Sequence, residues 1–140
     1  MFELHPRLQQ DCIVLGRFPL CLLLLMNDSH YPWFILVPER AEAREIFQLS
    51  ELDQLQLMRE SSALAQAISE VFQADKINIA AIGNLVPQLH VHHVARYRDD
   101  IAWPKPIWGY AEAVPYDAAG IAAVKSRLEP ALGDSYTAQP

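Results

Sequence analysis

The segment Gln88-Leu89-His90-Val91-His92-His93 places three imidazoles within four residues. Side chains alternate along a strand, so Gln88, His90 and His92 share one face while Leu89, Val91 and His93 share the other. Same-face neighbours would lie about 6–7 Å apart. Two imidazoles in a row suit phosphoryl chemistry. With an unperturbed pKa near 6.5, one ring can be a neutral nucleophile while its neighbour acts as a cationic donor to phosphate oxygen. Charge developing on a pentacoordinate phosphorus would be stabilised by such preorganised N–H donors.

Two other roles fit the same residues. Strand histidines are often structural or simply exposed. Alternate histidines can also bind a metal such as zinc, but His90 and His92 would then need further ligands, for which His30 or Asp28 are the candidates. Nothing in the spacing brings those residues together. Counting His90, His92 and His93 as the active set conflicts with alternation, which turns His93 away; there it is expected to be half-exposed or satisfied in the core.

The elements that must hold this segment are legible in outline. Residues 12–17 and 20–26 are short apolar β-type runs broken by Gly16 and Pro19, an expected antiparallel pair. Asn27-Asp28-Ser29-His30 reads as a turn. Trp33 to Val37 is a third strand, stopped by Pro38, which cannot donate to a ladder. Ser50 is a helix N-cap, with Glu51 and Asp53 in the first turn where the dipole favours negative charge. Leu52, Leu55, Leu64, Ala67, Ile68, Val71 and Phe72, extended by Met58, predict one apolar stripe on a helix through residue 73. Lys76 to Ile82 and Leu89 to Ala95 are further strands around a Gly83-Asn84 turn. An amphipathic helix spans roughly 117–128, and the residues after Pro130 are expected to be loose. The order predicts an α+β fold with a mostly antiparallel sheet.

The 140 residues fit a single domain, spanning 1–140, with one continuous core. A formal charge of -6 disfavours a nucleic-acid partner, which requires clustered cations, but leaves a small anionic ligand open. Cys12 and Cys21 lie in apolar runs and read as reduced core thiols. The apolar run from Leu20 to Met26 is far too short to cross a membrane. The N-terminal residues lack a secretory pattern, and a cytoplasmic location is expected.

The histidine segment resembles the motif of the histidine triad (HIT) superfamily, His-x-His-x-His followed by apolar residues. Gly83-Asn84-Leu85-Val86-Pro87 resembles the glycine-amide segment that precedes the triad, and Phe34-Ile35-Leu36-Val37-Pro38, preceded by Met26-Asn27-Asp28, resembles the family's apolar strand ending in proline. The similarity spans most of residues 8–96. Trp103-Pro104-Lys105-Pro106-Ile107-Trp108-Gly109 resembles a stretch found in a bacterial subgroup.

This resemblance implies a HIT-like fold: a five-stranded, mostly antiparallel sheet with one long helix and a shorter C-terminal one. It also implies a homodimer with a sheet continued across the interface. The implied activity is hydrolysis or transfer of a nucleoside monophosphate from a phosphoramidate or dinucleoside polyphosphate, through a nucleotidyl-histidine and with no cofactor. By position, His90 would be the nucleophile, His92 and Asn84 phosphate contacts, and Asn27 a polar residue near a purine nucleotide. Gln88 stands where the first triad histidine would be, a substrate-binding residue that can hydrogen-bond but not carry a titratable proton. Trp33 stands where the family often has histidine. Two alternatives remain open, a non-catalytic purine-nucleotide-binding module and a histidine-based metal-binding protein. The Trp103–Gly109 stretch could be a lid or stacking element, or a loop packed on the fold. Arg96 and Arg98 could contact phosphate or belong to a solvated strand end.

Overall fold

A computed structural model describes residues 1–140. The elements in chain order are α1 (Pro6–Asp11), β1 (Cys12–Arg17), β2 (Cys21–Met26), β3 (Trp33–Pro38), α2 (Glu51–Phe72), β4 (Lys76–Ala80), β5 (Val91–Arg96), α3 (Ala118–Leu128) and β6 (Thr137–Ala138). The architecture is α+β. The strands form one antiparallel sheet in the order β4-β5-β3-β2-β1-β6.

Each face of the sheet is covered, so its central strands are apolar on both sides instead of alternating. One face, including Leu23, Leu25, Phe34, Leu36, Val91 and Ala95, packs against α2 and α3. The other, including Leu22, Leu24, Trp33, Ile35 and Val94, packs against α1 and the loops that carry Val86 and Ile107.

Three expectations are corrected. The sheet has six strands, not five. The tail after residue 130 supplies the sixth: Thr137 and Ala138 pair with Arg17 and Gly16 of β1, Tyr136 packs at a tilt against Phe18 (centroids 5.3 Å), and Gln139 N–H donates to the Leu15 carbonyl at 2.8 Å. Gly16 permits this approach, because a Cβ there would overlap the Thr137 carbonyl and the Tyr136 hydroxyl. There are three α-helices, not two, since Pro6–Asp11 forms a short one ahead of the sheet.

The third correction concerns α2. Ser50 caps it as expected, accepting from Asp53 N–H at 3.1 Å. The buried stripe, however, begins at Leu57 and runs through Glu60, Ser61, Leu64, Ala67, Ile68 and Phe72. Leu52, Leu55 and Met58 form a separate exposed row. The two polar members of the stripe have partners. Glu60 accepts the backbone N–H groups of Leu20 (2.9 Å) and Cys21 (3.0 Å) at the β1–β2 turn, and Ser61 meets His93 beneath β5. Both cysteines are free thiols, and burial pushes each one up, Cys12 to about 12.

Candidate active site

β5 sorts the histidines. Its register against β3 and β4 pairs His92 with Ile35 and Ala80, and His93 with Phe34 and Ile79. His92 emerges on the α1 side, where the His90 ring, just ahead of the strand, stands 5.0 Å away at an interplanar angle of 68°. His93 emerges on the α2 side and is fully buried. The alternation read from the sequence therefore holds at these three positions.

His90 and His92 line a cleft of about 490 Å³. Its walls come from Met26 and Trp33 in the sheet, the Ile82–Val86 turn, Trp108, and Arg7, Leu8 and Asp11 of α1. The mixture is mostly apolar with a few polar groups, the usual character of a small-molecule site. Gly83 has φ 67°, a conformation that glycine adopts without strain, and there the chain turns to present Asn84. Asn84 is exposed on the cleft wall.

Hydrogen bonds fix the chemical form of each imidazole. His90 Nδ1 lies 2.6 Å from the Gln88 carbonyl oxygen, which can only accept. Nδ1 therefore carries the hydrogen, and in the neutral ring Nε2 holds the free lone pair. Trp33 Nε1–H donates to His92 Nδ1 at 2.9 Å. Indole can only donate, so the neutral His92 ring carries its hydrogen on Nε2. One ring thus offers a lone pair on Nε2 and the other a hydrogen on Nε2.

His92 is not the cationic donor that unperturbed histidine chemistry suggests. Burial pushes it down to about 3, reinforced by the neighbouring His90 and His93 rings. The hydrogen it offers on Nε2 is that of a neutral imidazole. The edges of Trp33 and Trp108 close around it, with centroids 5.7 and 5.4 Å away. His93 is closed on both nitrogens: Nδ1 donates to the Val91 carbonyl at 3.0 Å and Nε2 faces the Ser61 hydroxyl at 2.7 Å. Burial, only partly opposed by the Val91 bond, pushes it down to about 4.

The remaining sequence candidates separate. Gln88 turns its amide toward the N-terminal segment, accepting from His5 N–H at 2.9 Å and donating to the Glu3 carbonyl at 2.8 Å. Asn27 lies outside the residues lining the cleft, and its Oδ1 accepts Tyr116 N–H at 2.9 Å. Asp28 takes His30, with Nδ1 to Oδ1 at 2.7 Å, and no group of three or more His, Cys, Asp or Glu side chains gathers in a metal-binding arrangement. His90 and His92 therefore have no third protein ligand.

Arg96 is buried, bound to both Asp100 oxygens (2.8 and 3.1 Å) and to Asn78 Oδ1 (2.8 Å). Burial alone would raise the Asp100 carboxyl, but Arg96 and the backbone N–H groups of Tyr97 and Ala102 outweigh it and hold it low. Arg98 is exposed beside Asp75. The Trp103–Gly109 stretch serves two purposes. Trp103 packs over the Arg96 guanidinium, while Trp108 enters the cleft.

Sequence reasoning missed the contribution of α1 and the part played by Trp33. Pro6 at a helix start was an available sign of α1. The bond from Trp33 to His92 crosses between β3 and β5 and has no local sequence signature.

The sequence matches the family model for the HIT domain over residues 7–99. The chain belongs to the HIT family. Members of this family are generally nucleotide-binding hydrolases or transferases. Three solved bacterial histidine triad proteins resemble this HIT protein over 94% of its length. The one from Marinobacter aquaeolei VT8 is 51% identical, with TM-score 0.93 and 96% of that chain covered. Those from Bradyrhizobium japonicum (45%, TM-score 0.92) and Sinorhizobium meliloti 1021 (42%, TM-score 0.93) are each covered over 98%. A Hit-like protein from Bartonella henselae, 12% identical with TM-score 0.64, shares the fold. No curated protein matches the chain. No helix of this HIT protein is long and apolar enough to cross a membrane.

Proposed function

We propose that this chain cleaves a nucleoside monophosphate, the base a purine, from a phosphoramidate or dinucleoside polyphosphate through a nucleotidyl-histidine on His90. The observation that carries the reading is the pair of complementary imidazoles at one end of an apolar cleft. His90 offers a lone pair on Nε2, and His92 offers a hydrogen on Nε2. His90 Nε2 attacks the α-phosphorus and the bond from phosphorus to the leaving nitrogen or oxygen breaks. The His90 ring becomes cationic, and its Nδ1–H bond to the Gln88 carbonyl strengthens. His92 Nε2–H and the Asn84 amide donate to the phosphoryl oxygens, where charge builds up. Gln88 and the neutral His92 have no acidic proton to give, so the leaving group takes its proton from water. A second water then attacks phosphorus and gives its proton to the hydroxide left by the first, the bond to Nε2 breaks with its electron pair returning to the nitrogen, and the monophosphate leaves with His90 restored. The scheme uses no metal. Adenosine 5′-phosphoramidate should yield AMP with the wild-type protein; a His90→Ala protein with the wild-type rate would overturn the reading.

A second reading, a nucleotide-binding module without turnover, is favoured by one observation. No group in the cleft is placed as a general acid: Gln88 carries no titratable proton, His92 is neutral, and Asp11 is paired with Arg7. AMP binding by calorimetry, with no turnover of any adenylated substrate, would select it.

We also infer that the protein works as a homodimer, as the family resemblance implies. β4 is an edge strand carrying exposed Ile79, and α2 exposes Leu52, Leu55 and Met58, apolar surface that a second copy would cover. Sedimentation should give twice the 15.8 kDa chain mass, and Leu55→Lys should shift it to monomer. A wild-type monomer at micromolar concentrations would refute this.

A further inference from the structure

The amide of Gln88 makes two hydrogen bonds to backbone more than eighty residues away: Oε1 accepts His5 N–H at 2.9 Å and Nε2 donates to the Glu3 carbonyl at 2.8 Å. A carbonyl and the N–H two residues later that meet one amide lie on the same edge of their segment, as they do along a strand. The side chain therefore takes the place that the N–H and C=O of one residue of a parallel partner strand would fill.

This anchor sits where it matters for the cleft. His5 is the N-cap of α1, its Nδ1 accepting Arg7 N–H at 3.0 Å. α1 is only six residues long, too short to hold its shape alone, and Leu8 is its one buried residue. Its C-terminal end runs directly into β1, so the sheet fixes that end and Gln88 fixes the other. Between them, Arg7, Leu8 and Asp11 form one wall of the cleft. Apart from the histidines, Arg7 and Asp11 are the only ionisable side chains lining it, and they pair with each other at 2.8 Å.

We propose that Gln88 is a positioning residue that pins the N-terminal segment and thereby sets the α1 wall of the ligand cleft. Its backbone carbonyl orients His90 while its side chain holds the opposite wall, so one residue ties the nucleophile to the ligand's surroundings. Only an amide suits this task. Its oxygen and nitrogen project side by side from one carbon, whereas the two nitrogens of an imidazole diverge around the ring, and a carboxylate has no hydrogen to donate to Glu3. A histidine at position 88 would complete the family's triad on paper but release the segment.

That the wall faces a nucleotide rests on the function proposed above, so the experiment reads the segment and the ligand separately. Wild type, Gln88→Ala and Gln88→His are compared by amide hydrogen exchange, by calorimetry with AMP, and by steady-state kinetics with adenosine 5′-phosphoramidate. Loss of two neutral hydrogen bonds should speed exchange in residues 3–11 about tenfold while α2 and β5 keep wild-type protection, which shows the fold intact. AMP affinity should fall about tenfold, and KM should rise by more than kcat falls. Unchanged exchange in residues 3–11 for both variants would overturn the proposal. So would a loss confined to kcat, or a Gln88→His protein with higher turnover and wild-type KM. If wild type binds no AMP, the nucleotide reading fails, and the exchange comparison alone decides the role of Gln88.

Discussion

His92 and His93 are consecutive, both buried, and both held neutral by burial, yet they face opposite sides of one sheet. His93 has a protein partner on each nitrogen, the Val91 carbonyl and the Ser61 hydroxyl. His92 has a protein partner only on Nδ1, from Trp33, and lines the cleft. Burial and charge state do not distinguish the imidazole closed within the fold from the one that lines the cleft. The nitrogen left without a protein partner does. The same criterion picks out His90, tied at Nδ1 and free at Nε2.

The contrast breaks most sharply at His90. His90→Ala should abolish turnover of adenosine 5′-phosphoramidate, a loss of at least about 10³-fold in kcat, with the fold intact by circular dichroism. Acid should expose what His92 and His93 share. The folded rings titrate at about 3 and about 4, below the ordinary 6.5 of an unfolded chain. Between pH 6.5 and about 4 the unfolded chain therefore binds more protons. Stability should be fully present above 6.5 and fall as pH drops, with a slope of up to about 1.4 kcal/mol per pH unit for each ring. Urea melts from pH 8 to 4.5 would check this, and stability flat across that range would show that the rings charge freely in the fold.

Smaller changes should separate the two sides. Trp33→Phe removes the donor that fixes His92, so kcat/KM should fall roughly ten- to hundredfold, and the nitrogen-15 shifts of His92 should show a mixture of tautomers. Ser61→Ala takes one hydrogen bond from His93 and should cost about 1 kcal/mol of stability while kcat stays within about twofold of wild type. An activity loss from Ser61→Ala as large as that from Trp33→Phe would erase the distinction between the faces.

What was legible in the sequence follows from locality. Alternation placed His92 and His93 on opposite faces, because that depends only on the strand geometry of β5. Ser50 and the polar first turn marked the start of α2 for the same reason. Leu52, Leu55 and Met58 have helical three-residue spacing yet are exposed, because spacing does not say which face of a helix meets the sheet. β6 was hidden because two residues, Thr137 and Ala138, carry no pattern, and the signal lay instead in the missing side chain of Gly16. The charge state of His92 depends on burial between Trp33 and Trp108, brought together by β3 and a loop some seventy residues later in the chain. The sequence marks Gln88 as a hydrogen-bonding residue of the substrate site, but its amide bonds run to Glu3 and His5, partners across most of the chain that no local pattern shows.

The nucleophilic role of His90 is tested most directly by trapping. The protein would be mixed with adenosine 5′-phosphoramidate, quenched under alkaline conditions within one turnover, and its peptides mapped by mass spectrometry. One adenylyl group on the His90 nitrogen of the peptide that spans residues 88–93 is the predicted result. AMP formation with that peptide unmodified throughout, or with the group on His92, would contradict it.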